Sequence, residues 1–266
     1  MRLTDELLED VHTLWDELAD FPAARVEDAL RHLQQKFGGW LRAEDVVWVG
    51  GARLMQGAAA RRDPQSGWRG LAVRHLRLTP PVAERTVRAM REQETMPHPT
   101  TLAMVETAGT FRVRRMHDGL VDVAAFKRTP QYRVFYQEAG IVDRMFVGFP
   151  INADAESYFL FDRLRGGLAR RFSAADAQFV AYAMRGLKWF QRELMLHHGL
   201  LLAEQPLTDM ERRIVSLLLT DRAEKEIAAE LGQKPATTHK YITGILRKFG
   251  VRGRTGLMAL WLGRRS

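Results

Sequence analysis

Five residues near the end of the chain, Ala236, His239, Lys240, Thr243 and Arg247, recur at steps of 3, 4, 7 and 11 and so share one side of a helix. They are small, polar or basic, and none is an acid. Lys and Arg donate to guanine acceptors, and short side chains let a helix approach closely. Such a face suits the major groove of double-stranded DNA. The set Thr238, Tyr241 or Ile242, Ile245 and Phe249 forms the apolar side that would anchor it. Pro235 fits the first helical position and Gly250 stops the run, which predicts a recognition helix over 235–249.

That helix needs a scaffold, and the preceding residues supply one. Thr208 and Glu211 have the spacing of a capping box, ahead of an apolar stripe of Ile214, Leu217 and Leu218. Lys225 to Leu231 reads as a short second helix with Ile227 and Leu231 facing inward. Gly232 then turns the chain in the left-handed conformation. Thr255 to Leu262 reads as a fourth helix that covers the bundle or pairs with its twin. Charge follows the same division: residues 205–266 hold 12 Lys/Arg against 6 Asp/Glu, whereas the preceding 204 residues hold 28 against 26. A small basic module on a near-neutral remainder suggests a polyanionic partner.

The segment resembles the LuxR-type helix-turn-helix family of bacterial regulators. Leu207, Thr208, Glu211, Lys225, Glu226, Ile227, Ala228, Leu231, Thr237, Ile245, Lys248, Gly250, Val251 and Arg254 stand in the register of the family pattern, without a gap. Met210, Ala223, Tyr241, Thr238 and Phe249 depart from the usual residues, and Lys234 replaces the expected Ser/Thr cap of the recognition helix. The resemblance implies a DNA-binding transcriptional regulator whose base-reading positions correspond to His239, Lys240 and Thr243. Lys225, Lys234, Thr237, Arg247, Lys248 and Arg254 would then contact phosphates, which position the protein without reading sequence. The rival reading is a protein-interaction module that contacts RNA polymerase or another regulator without binding DNA itself.

Other chemistry is harder to place. The chain has no cysteine, which excludes disulfides, thiolate metal sites and thiol sensing. Its eight histidines show no metal spacing; His197 and His198 are adjacent and point about 100° apart on a helix. No phosphate loop, dinucleotide fingerprint or nucleophile elbow appears, so no metal, cofactor or enzymatic reaction is expected. The N-terminus lacks an apolar signal core and no window suits a membrane span, which points to a cytoplasmic protein without a membrane partner.

Residues 1–204 read as an α+β domain, and 205–266 as an all-α domain of four helices. The first domain's order is helices, strands, helix, strands and a long helix over 173–202, with Ser173 and Asp176 as its capping box. In element order it resembles GAF/PAS sensor domains, with an antiparallel sheet flanked by helices. The long helix carries two apolar stripes, which suggests a sheet-facing side and a homodimer side; Val180, Met184, Leu187 and Leu194 are the dimerisation candidates. The Trp-x-x-x-Tyr pattern of acyl-homoserine-lactone domains is missing, although Asp63-Pro64 and Trp68 offer a fragment. The domain is therefore left as a sensor with room for a small-molecule ligand of unassigned identity.

Overall fold

The computed structural model describes residues 4–167, 171–201 and 206–263. The chain forms two compact units, one of Met1–Glu17 and Arg31–Lys188, the other of Leu18–Leu30 and Trp189–Ser266. The boundary expected at 204/205 falls outside the described residues.

Along the first unit, Leu18–Leu30 excepted, run α1 (Asp5–Ala19), α2 (Val26–Leu41), β1 (Asp45–Arg53), α3 (Gly57–Arg62), β2 (Trp68–His75), α4 (Pro80–Glu92), α5 (Pro99–Val105) and β3 (Arg112–Arg115). Two short turns of helix, α6 (Val123–Phe126) and α7 (Pro130–Tyr132), lead to β4 (Ile141–Asn152), β5 (Ala155–Leu164) and α8 (Ala174–Arg185). The five strands make one antiparallel sheet in the order β2-β1-β5-β4-β3. This is the expected α+β class. The strand β3 was not legible, because its four residues, Arg-Val-Arg-Arg, carry no apolar alternation.

Alternation along the strands sends successive side chains to opposite faces. On one face Val46, Trp48, Met145, Val147, Phe159 and Phe161 are buried. They meet Phe37 of α2 and Phe179 of α8, with ring centroids 5.6 Å between Phe37 and Phe161 and 6.1 Å between Phe37 and Phe179. The other face presents Val47, Val49, Tyr158, Leu160, Asp162 and Leu164 to a cavity walled by α4 and α5.

Two sequence expectations give way to packing. The glycine pair Gly38-Gly39, a common stop signal, does not end α2, which continues to Leu41. A Cβ on Gly38 would lie 3.3 Å from the Ala43 carbonyl and 3.4 Å from the Leu76 side chain, so this glycine serves close approach. Arg42, at φ +49°, ends the helix instead.

The second correction is that the long helix expected over 173–202 is broken. The Ser173–Asp176 capping box opens α8 as expected, with the Asp176 N–H donating to Ser173 Oγ at 3.1 Å and the Ser173 N–H donating to Asp176 Oδ2 at 2.8 Å. At the other end, the Trp15 indole N–H donates to the Ala183 carbonyl at 2.9 Å. That carbonyl would otherwise receive Leu187, whose N–H turns to Met184 instead, at 3.0 Å. The Trp15 ring also fills the space beside Gly186, where a Cβ would lie 2.8 Å from it. The chain resumes as α9 (Lys188–His197), which belongs to the second unit from Trp189 onward.

Val180, Met184, Leu187 and Leu194, the expected dimerisation stripe, are completely buried within the single chain. A side chain with no accessible surface has none to offer a second subunit, so this assignment is corrected: the stripe is core. Two apolar stripes on a helix look alike in sequence whether the second is covered by another chain or by more of the same one.

The second unit continues with α10 (Asp209–Leu218), α11 (Glu224–Glu230), α12 (Pro235–Lys248) and α13 (Arg254–Trp261), the four helices expected. Leu207, Ile214, Leu218, Ile227, Ile245 and Leu257 form the middle of its core. No helix among the described residues is long and apolar enough to cross a membrane.

Candidate nucleic-acid interface

The recognition helix is assembled from the cap of α10 onward. Thr208 Oγ1 accepts from the Glu211 N–H at 3.3 Å, and Glu211 Oε2 accepts from the Thr208 N–H at 2.8 Å. Ala223 has no side-chain acceptor for α11, but Glu226 Oε2 still accepts from its N–H at 2.7 Å, which is half of a capping box. Gly232, at φ +63°, takes the left-handed turn between α11 and α12. Lys234 gives α12 no side-chain cap, and Pro235 starts it.

On α12, Thr238, Ile242, Ile245 and the following Phe249 are buried. The buried Thr238 hydroxyl donates to Gln233 Oε1 at 3.0 Å, which satisfies it inside the core. Of the two sequence candidates for the apolar side, Ile242 faces inward and Tyr241 outward. Ala236, Thr237, His239, Lys240, Thr243 and Arg247 are all exposed. The base-reading candidates His239, Lys240 and Thr243 thus share one open face.

The phosphate candidates divide. Lys225, Lys234, Thr237 and Arg247 are exposed. No ion pair engages the three cations among the described residues. Lys248 is different: its ammonium lies 2.7 Å from Glu211 Oε1, the carboxylate that caps α10. Burial works to raise the Glu211 carboxyl, but Lys248 and Thr208 outweigh it and hold it below the usual range. Arg254 is also spent internally. Its guanidinium donates to the carbonyls of Leu218, Thr220 and Arg222, with Nε 2.7 Å from Leu218. These are the unsatisfied carbonyls past the end of α10, where a cation belongs. In this structure Lys248 and Arg254 are engaged as braces of the bundle, unlike the four open candidates. Nothing in their spacing distinguishes the two roles, because both partners lie far away in sequence.

One further residue escaped the sequence reading. Glu224, at the start of α11, places Oε2 3.0 Å from Nδ1 of His239. The face is acid-free along its own helix, but a neighbouring helix brings a carboxylate to its edge.

Residues 205–261 match the family of bacterial regulatory proteins, luxR family. They form a LuxR-type helix-turn-helix domain. Some of its relatives are transcriptional regulatory proteins by name. Over 78 residues the chain is 36% identical to the transcriptional regulatory protein DesR of Bacillus subtilis, which covers 29% of this chain and 38% of DesR. Over 49 residues it is 41% identical to the spore germination protein GerE of the same organism, covering 18% of this chain and 66% of GerE. Among solved structures, Escherichia coli SdiA is similar with a TM-score of 0.46 at 13% identity, over 96% of this chain and 98% of that one. The LuxR-type domain thus accounts for the C-terminal part of the molecule, and the first unit must be read from its own residues.

A cavity of about 480 Å³ lies in that unit, between the sheet and helices α4 and α5. Its volume is in the range of small-molecule sites. Buried polar pairs line it: Arg144 clasps Asp162 with two contacts of 2.5 Å, and His75 Nδ1 lies 2.8 Å from Asp45. His98 sits among Phe126, Phe135 and Tyr136, with ring centroids 5.1–5.9 Å away. Burial pushes its pKa down to about 3, helped by the Arg144 charge, so the ring is neutral. Sequence reasoning did not find these residues; the alternation of positions 158, 160, 162 and 164 was the available signal. Among the described residues no group of three or more His, Asp or Glu is placed to hold a metal ion.

Proposed function

We propose that this chain is a transcriptional regulator that binds double-stranded DNA by inserting α12 into the major groove. The observation that carries the reading is the two-sidedness of this helix. Thr238, Ile242 and Ile245 are locked in the core while His239, Lys240, Thr243 and Arg247 face solvent. His239, Lys240 and Thr243 would read bases; Lys225, Lys234, Thr237 and Arg247 would grip phosphates. The DNA-binding domain would run over 205–266 and the sensor over 1–204. The protein works by binding, catalyses no reaction and acts in the cytoplasm.

A homodimer places two recognition helices on half-sites about one helical turn apart. With the Val180 stripe buried, the support for pairing moves to α13. There Met258 and the adjoining Leu262, four residues apart, are exposed apolar side chains. A ligand in the first unit's cavity would control the tail. The break at Gly186 means that no single rigid helix transmits this signal.

The test is binding of the full chain to random duplex DNA at several salt concentrations. Three phosphate contacts per chain predict that log K falls with log salt with a slope of about −3 for each chain bound. Lys240→Ala should lower affinity for a selected operator by about 1–3 kcal/mol and relax preference at one base pair. Negligible binding at low salt would instead favour a protein-interaction module acting on RNA polymerase.

A further inference from the structure

The cavity wall carries an asymmetry of polar groups that bears on what it holds. Its carboxylates already have partners, although Glu92 keeps one buried oxygen, Oε2, without one. Asp162 is held by Arg144, and Asp45 by His75 and by the Arg77 N–H at 3.0 Å. Glu92 takes the Arg88 guanidinium at 2.9 Å. The inner cation Arg69 is likewise held, 2.8 Å from Asp63. What remains without a partner among the described residues is mostly donor. The side chains of Arg77 and Arg85 line the cavity and make no ion pair or hydrogen bond, Arg77 exposed and Arg85 half-buried.

Four lining residues besides these carry a buried polar atom without a partner: Trp68 Nε1, His98 Nε2, Tyr158 OH and the carboxylate oxygen Glu92 Oε2. Nδ1 of His98 accepts from the Thr100 N–H at 3.3 Å, so in the neutral ring the proton resides on Nε2, making it a donor. Trp68 is 3% exposed, so water does not compensate its N–H. The body of the wall is apolar, with Val47, Val49, Met104, Ile141, Phe146 and Leu160.

Arg85 stands on the side of α4 that also turns Val82, Thr86 and Ala89 to the cavity, and Arg77 lies three residues before that helix. No residue of α4 is fully buried, so the wall that bears Arg85 is the loosely packed one. An apolar chamber with free guanidinium groups on its outer wall and donors elsewhere complements a molecule with an apolar body and an acceptor-only, negatively charged end.

Resting on the reading that this cavity holds the regulator's ligand, we propose that the ligand is an amphipathic carboxylic acid, its carboxylate held by Arg77 and Arg85 and its apolar body against the sheet. An amine would meet two like-charged guanidinium groups and a single open carboxylate oxygen, Glu92 Oε2. A neutral ester would forfeit the two cations.

The test uses the full chain at pH 8 and titration calorimetry with three probes of equal chain length: decanoate, methyl decanoate and decylamine. Decanoate should bind at least 10-fold more tightly than either of the others. The double variant Arg77→Gln/Arg85→Gln should lose at least 10-fold for decanoate and nothing for the ester. Ala89→Trp, which fills the chamber from α4, should abolish decanoate binding while circular dichroism stays unchanged. Ester or amine binding as tightly as the acid would overturn the assignment of a carboxylate while leaving a ligand cavity in place. Undiminished decanoate binding by the double variant, or by Ala89→Trp, would overturn the assigned site. If none of the three probes binds the wild type, the cavity reading falls with the proposal.

Discussion

The Glu224 carboxylate of α11 lies 3.0 Å from Nδ1 of His239, on the face of α12 that would meet DNA. Both side chains are more than half exposed, so the pair adds little to stability. Its consequence is chemical. With the Nδ1 proton given to Glu224, the neutral imidazole is left with Nε2 as an acceptor. An acceptor matches the amino groups of adenine or cytosine in the major groove and not the guanine edge. Glu224→Ala should therefore raise overall DNA affinity at low salt and change preference at one base pair by about 1 kcal/mol. Binding to duplexes differing at single positions measures this. A uniform shift across all of them would show that Glu224 acts only through its charge.

Arg254 is expected to support the fold and not the DNA contact. Arg254→Ala leaves the carbonyls of Leu218, Thr220 and Arg222 to water, and should destabilise the C-terminal helices by about 1–3 kcal/mol. Urea unfolding followed by circular dichroism gives the stability. The salt slope of DNA binding should be unchanged, whereas loss of a phosphate contact would reduce it by about 1.

Glu211 makes stability depend on pH. Its folded carboxyl lies below its ordinary value of 4.5. A depressed carboxyl contributes stability that is present above the unfolded value and lost as pH falls through the folded one. Lys248→Met removes the cation and should lower stability at pH 7 by about 1–2 kcal/mol. The gap from wild type should close in acid, once Glu211 is protonated in both proteins. A difference that stays constant from pH 7 to pH 3 would exclude the ion pair as its source.

Met184, fully buried on α8, separates core from interface. Met184→Asp puts a charge where no partner or water reaches it, and should cost about 3 kcal/mol or more. Unfolding midpoints measure the loss, and sedimentation reports the mass. A folded, stable monomeric variant would restore the interface role that burial removes.

How much was legible from residues alone depends on how far apart the interacting groups lie. The capping boxes at Ser173 and Thr208, the left-handed turn at Gly232 and the two faces of α12 are set by neighbours within four positions. Periodicity and residue type therefore determined them, and with them the α+β class and the helix-turn-helix. Glu224 against His239, Lys248 against Glu211, Arg254 on three carbonyls and Trp15 on the Ala183 carbonyl join residues from 15 to 168 positions apart. Each of these side chains could equally have faced solvent, DNA or a second chain. A local pattern specifies which way a residue points on its own helix. Only tertiary packing decides what stands opposite, and that decided which cations are free, why α8 stops, and where the cavity lies.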